Sequence, residues 1–385
     1  MPVQPVRDES PKVIASPSGY RLRDGSAAIL GLFLLVALGA LMAIVIDFGY
    51  IHVVETELRR SADASAMAGC WEVFEYWDVD ESNSGLQVIV ASSANSIATH
   101  NSVGELAPLL THDDVELGSY SMAGGWSDVY GDQPNAVRVT LRRQTGANSD
   151  LPLFFGGLTG RNAQSLQATA IAAMFNTIEG FVEPDHEGTR GILPIALDLG
   201  SWEAAVAEST VDDFRITNGE VVSGSDGVFE TNLYPQGVGA PGNRGTVDIG
   251  DANNSTNDLS RQILHGISRQ DFLDLGKPLM FDENGELELN GDTGISAGIK
   301  DELASLIGKT RIIPIFSQVS GQGNNSLFTV VKFEGVRILD VKLTGKKNQK
   351  RVIVQPATVI GRGAKIDWSG EHTTSHLVTP VMLVE

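Results

Sequence analysis

The chain has 385 residues, 48 acidic against 28 basic, and a net charge of −20, a surface that repels phosphate and argues against nucleic acid or an anionic lipid surface as partner. A single cysteine, Cys70, excludes an intrachain disulfide framework and a multi-cysteine metal site, leaving an intermolecular disulfide open. The length allows two or three domains, and a hydrophobic share of 42% is enough for sizeable cores.

Residues 1–24 are rich in Pro, Ser and charge, and read as a disordered cytoplasmic tail. A transmembrane helix is expected over 25–46. Its apolar run, AAILGLFLLVALGALMAIVI at 27–46, carries no charge and at ~1.5 Å per residue spans about 30 Å, the thickness of a bilayer's hydrocarbon core. A cleaved signal peptide would have a shorter apolar part and a small-residue exit. Here the run ends in Ile44, Val45 and Ile46. Arg7, Lys12, Arg21 and Arg23 precede it, whereas Asp47, Glu55 and Glu57 follow it before the first cation at Arg59, so the N-terminus is expected inside. Asp47 is expected to stay at the membrane edge and set helix depth, because an ionised carboxylate is costly in hydrocarbon.

Nothing stops the helix after Ile46. Gly49 is a modest cost; Leu58, Ala62 and Ala66 are four apart, and Ala62, Ala66 and Gly69 continue a small-residue stripe along which another element can approach closely. The stripe can be covered by the chain's own next domain or by another subunit. Beyond it, 85–102 reads as a helix, and 114–120, 136–142 and 165–175 alternate apolar with polar as half-buried strands do. LPLFFGGL at 151–158 is either a helical turn or a membrane-proximal contact.

The run from Arg21 to Gly69 resembles the N-terminal segment of TadG-like proteins of Flp (tight adherence) pilus assembly. The resemblance rests on RLRDGSAA, the apolar span, the Asp47-Phe48-Gly49 edge, and the tail Leu58-Arg59-Arg60-Ser61-Ala62-Asp63-Ala64-Ser65-Ala66-Met67-Ala68-Gly69. A looser resemblance covers 136–172. It implies a membrane-anchored structural or accessory role, with the membrane and other pilus-assembly or pilin-like proteins as partners, a second copy as another, and no cofactor. Pilins cleaved after Gly carry Glu five residues on, but Leu30 stands there if Gly25 is that Gly. Processing as a pilin is therefore not implied. The Asp-x-Ser-x-Ser metal site of some relatives is not among the features the resemblance implies.

The expected architecture is α+β: a juxtamembrane helix and small α+β domain over 47–178, a linker at 179–191, and a β-rich α+β domain over 192–385. In the last, helices are expected at 257–267, capped by Asn257 or Asp258, and at 295–307, capped by Asp292 or Thr293. FEGV, with Gly335, is expected to be a tight turn between two strands. Five groups are weak metal candidates: Asp248, Asp251 and Asp258 in an oxygen-rich loop suited to Ca²⁺, and His372 and His376, four apart in EHTTSH. Simple turn chemistry and a solvated loop are their structural explanations. GDANNS and GQGNNS read as two exposed loops on one face. No phosphate-loop motif occurs, and no catalytic residue is assigned. A membrane-anchored envelope enzyme or Ca²⁺-dependent binding protein is the alternative.

Overall fold

The computed structural model describes residues 1, 24–79, 83–131, 133–234, 244–250, 255–321 and 325–384. The reading of the tail before Asp24 lies outside these residues, as do Asp251 and the centres of both Asn-Asn-Ser loops.

Helix α1 (Asp24–Glu75) runs 52 residues without a break, about 78 Å at 1.5 Å per residue. No proline interrupts it, and Ala and Leu dominate its composition. The apolar residues 27–42 are all exposed, a helix long and apolar enough to cross a membrane. Past Asp47 one face turns inward, and Val54, Leu58, Ala62, Ala66, Cys70 and Val73 are fully buried.

The first unit continues with α2 (Asn83–His100), β1 (Val115–Ser121), β2 (Gly125–Ser127), β3 (Ala136–Arg143), β4 (Leu151–Pro152), α3 (Gly156–Thr159), β5 (Ala163–Gln164) and β6 (Leu166–Ala173). Strands β2, β1, β3 and β6 form an antiparallel sheet in that order. The two-residue period of β6 sends Leu166, Ala168, Ala170 and Ala172 to the cluster shared with α1 and α2. Ile171 and Ala173 face the other way, with Ala136, Phe175 and Ile366.

The rest of the chain is β7 (Ile178–Phe181), β8 (Thr189–Arg190), β9 (Ile195–Asp198), α4 (Leu199–Val206), β10 (Phe214–Thr217), β11 (Glu220–Ser223), β12 (Thr231–Asn232), β13 (Arg244–Val247), α5 (Thr256–His265), β14 (Ile267–Ser268), α6 (Arg269–Leu275), β15 (Leu279–Met280), β16 (Leu287–Asp292), α7 (Lys300–Ala304), β17 (Thr310–Ser320), β18 (Ser326–Lys342), β19 (Arg351–Pro356), β20 (Val359–Ile360), β21 (Ala364–Ile366), β22 (Leu377–Val378) and β23 (Met382–Leu383). The pairings β18–β16–β13–β9–β17 return to β18 and close a five-stranded ring. One cluster draws on all five strands through Ala196, Val247, Leu289, Ile312, Phe316, Phe328 and Val330. The alternate residues Ile195, Leu197, Ile313, Ile315, Val336 and Ile338 pack instead with Trp202, Leu259, Ile263 and Leu303 of the covering helices. The fold is thus α+β, with a long apolar N-terminal helix and a β-rich second part.

Four local expectations are corrected. FEGV is not a turn: β18 passes through it unbroken, because Gly335 lies where a Cβ would stand 2.2 Å from the His376 carbonyl and 2.3 Å from that of Ala357. That site selects a glycine for close approach rather than for turning. The cap of α5 is Ser255, whose hydroxyl accepts from the Asp258 amide, and not Asn257 or Asp258. The turn before α7 is capped by Ser296, not by Asp292 or Thr293. The stretch 179–191 holds ladder residues: β7 pairs with both β15 and β21, and β8 pairs with β14.

The two parts meet closely. Strand β23 adds to the free edge of β6, placing Met382 opposite Ala173 and Leu383 opposite Ala172. Nearby, Phe175 meets Trp368 edge-on at 5.6 Å, and its amide donates to the Thr379 hydroxyl.

Candidate functional site

The junction between the exposed and buried stretches of α1 gathers the sequence features that stand out most. Asp47 is the first acidic residue after the apolar run, and it is nearly fully buried. Its carboxylate accepts from the amides of Phe154 (2.9 Å) and Phe155 (3.1 and 3.2 Å). These amides lie at the tip of a ribbon. Its base is the β4–β5 pair, with Leu151 buried in the core of the first unit. The short helix α3 follows at once, so LPLFFGGL contains the expected helical turn. Gly156 is required there, since a Cβ would stand 2.1 Å from the Arg161 carbonyl. Phe154 leans on Tyr50 of α1, ring centroids 4.8 Å apart.

The small-residue stripe is covered by this chain. Ala62 and Ala66 are fully buried in the cluster formed with Val90, Ala94, Val137 and Ala170, and a Cβ on Gly69 would stand 3.1 Å from side-chain atoms of both Val137 and Val90. Leu58 lies in the same cluster. The small side chains let α1 approach α2 and the sheet closely, so the face expected to meet either its own domain or another subunit is occupied by its own domain. Gly49 has nothing within 4 Å of where a Cβ would stand and serves no such approach among the described residues. Asp63 is half-buried; burial raises its pKa, an effect opposed by the nearby Arg59.

The weak metal candidates fall into separate settings. Asp248 and Asp258 line a cleft of about 520 Å³ with Arg261 and Asp271. There the Arg261 guanidinium holds Asp271 by two hydrogen bonds, at 3.0 and 2.5 Å, and lies 3.8 Å from Asp258. A fixed cation thus takes up acidic charge that a metal would otherwise need. His372 and His376 do not share a partner. His372 Nδ1 lies 2.8 Å from Asp367 while its ring stacks on Phe281, whereas His376 faces Asp78, Thr358 and Trp202. Both imidazoles are mostly buried, with 19% and 23% of each side chain exposed, so the solvated-loop expectation is corrected. Among the described residues, no three His, Cys, Asp or Glu side chains are placed to hold a metal ion.

Sequence reasoning missed the bond between Asp47 and the Phe154–Phe155 amides, which crosses more than a hundred residues of chain. It also missed Asp78, whose carboxylate accepts from the Thr358 amide at 2.7 Å and the Thr358 hydroxyl at 2.5 Å. An Asp directly after a long apolar run was the available signal for the first; the second had none.

Two family matches divide along this architecture. Residues 25–72 match the Flp pilus-assembly TadE/G-like family, and residues 77–172 match the Tad-like Flp pilus-assembly family. Together they support a TadG-like protein of Flp pilus assembly. The first match covers most of α1, and the second runs from the end of α1 to β6. No curated protein and no solved structure matches the chain. The ring-containing part therefore lies beyond both matched segments, although its strand β23 adds to the edge of β6. These are families of pilus assembly rather than a known enzyme family.

Proposed function

We propose that this chain is a single-pass cytoplasmic-membrane protein, N-terminus inside, that serves as a structural accessory component of a Flp-type pilus or tight adherence apparatus. The observation that carries the reading is the division of one unbroken helix. Residues 27–42 present apolar side chains on every face, and the same helix then becomes the core of the TadG-like unit. Such an element transmits position from a bilayer to a folded domain without a hinge. The basic residues before the span and the acids after it favour the inside-to-outside orientation. Because its own sheet covers the stripe, the stripe acts as the rigid mount of the unit, and contacts to other pilus components fall to the exposed surface of the unit and the acidic second part.

The test is pilus number by electron microscopy, with surface attachment, in a deletion strain. Loss of pili, restored by the intact gene but not by an exported version lacking residues 24–46, supports anchored assembly. Unchanged pili in the deletion strain refute it.

A further inference from the structure

We propose that the ribbon tip carrying Phe154, Phe155 and Leu158 is a lipid-contacting foot, seated at the headgroup–acyl boundary beside the exit point of α1. This inference rests on the reading of α1 as a membrane anchor.

Phe154 and Leu158 are each 68% exposed, and Phe155 is 39% exposed. Single exposed apolar side chains are ordinary on protein surfaces, but three within five residues form a patch that calls for a partner. Position supplies the partner. The tip is bonded to Asp47, one residue past the apolar run, and the neighbouring Phe48 on α1 is also 67% exposed. The patch therefore continues the exposed apolar surface of residues 27–46 rather than standing apart from it.

The flanking chemistry fits the same depth. A cleft of about 350 Å³ beside the tip is lined by Ile44, Phe48, Ile51 and Leu153, with Arg161 and Glu55 also in its wall. Aromatic rings favour the interface, and the long Arg161 side chain can lay its stem on apolar surface while its guanidinium reaches phosphate. Attraction to anionic lipid is not needed, because the contact is apolar.

The tip is also pre-ordered. Asp47 fixes two amides, Tyr50 backs the Phe154 ring, Gly156 permits the tight return, and buried Leu151 holds the ribbon base. Little conformational entropy remains to be lost when the rings enter lipid. A helix that crosses a bilayer alone is free to tilt and rotate. A second rigid contact at its exit fixes both, and so sets the direction in which the TadG-like unit projects.

The experiment uses the full chain in phosphatidylcholine vesicles, with Cys70→Ala and one environment-sensitive fluorophore at a time on Phe154→Cys, Leu158→Cys, Leu35→Cys or Val129→Cys. Quenching by lipids spin-labelled at shallow and deep positions is read for each. Val129 is 75% exposed and belongs to the far end of the unit, near Trp77. The expected result is deep quenching at 35, clear shallow quenching at 154 and 158, and none at 129. Quenching at 35 with 154 and 158 as unquenched as 129 overturns the foot and leaves the anchor standing. A blue-shifted but unquenched probe at 154, with cross-linking between copies, overturns it in favour of a second copy as occupant. No quenching at 35 overturns the anchor and the foot together.

Discussion

His376 Nδ1 lies 3.3 Å from Asp78 Oδ1, across 298 positions of sequence, and this pair ties the end of α1 to the second part of the molecule. Thr358 completes the contact by donating its amide and hydroxyl to the same carboxylate. Burial acts to raise the Asp78 pKa, but the hydrogen bonds from His376 and Thr358 prevail and hold it below the usual aspartate range. A carboxyl depressed in the folded state contributes stability that is present above its unfolded pKa and lost as pH falls through the folded value. The join is therefore expected to hold at neutral pH and loosen in acid. Hydrogen exchange checks this: Asp78→Asn should speed exchange of the Thr358 amide at pH 7 by about tenfold, a loss of ~1.4 kcal/mol, and should flatten its acid dependence. Equal exchange in both proteins would remove Asp78 as the tie.

Asp47→Ala leaves the Phe154 and Phe155 amides without their acceptor. A hydrogen bond to a charged group contributes roughly 1.5–3 kcal/mol, so the ribbon tip should exchange its amide hydrogens ten-fold to a hundred-fold faster while the helix itself stays folded. Asp47→Asn keeps one good acceptor oxygen and should fall between the two. Exchange mass spectrometry over 153–159 in the membrane-inserted protein reads this directly.

Filling the stripe should damage the fold before it damages any assembly. Ala62→Leu or Ala66→Leu forces extra volume into a fully buried face and should cost about 1–3 kcal/mol or more. Leu58→Ala should cost roughly 2–5 kcal/mol by leaving a cavity. Thermal unfolding of the detergent-solubilised chain checks both. A lost pilus with unchanged Tm in Ala66→Leu would contradict the packing described here.

Cys70 is fully buried, and that burial pushes its thiol well above the ordinary cysteine range. The native protein should resist maleimide and run as a monomer on non-reducing gels, with one thiol per chain reacting only after denaturation. Rapid native labelling would place the α1 face in the open.

Much of the first unit was legible because its signals are local. A charge-free twenty-residue run, a four-residue recurrence of small side chains and the alternation of Leu166, Ala168, Ala170 and Ala172 each encode their own geometry. The second part was harder for an equally physical reason. β10 and β11 are four residues each, and β13 and β16 are short and carry glycine at positions pressed against Phe328. Gly335 looked like a turn because turn chemistry is local, whereas its cause is two carbonyls brought in from distant strands. The Ser-x-x-Asp spacing of Ser255 and Asp258 was a readable cap signal that the nearby Asn and Asp residues obscured. Asp47 was legible as a position but not as a bond, since its partners are set by the ribbon's fold.

Strand β23 gives the molecule an order of assembly. The edge of β6 stays unpaired until residues 382–383 arrive, more than two hundred residues later in the chain. For a polypeptide threaded across a membrane from its N-terminus, the first unit would have its helix and inner strands in place while one ladder stays open through the whole export of the second. An open edge is a template for pairing with other chains. Delivery of β23 covers the Ala172–Ala173 end of that edge, so in the proposed topology this last piece of the first unit is added only after the second part has been exported.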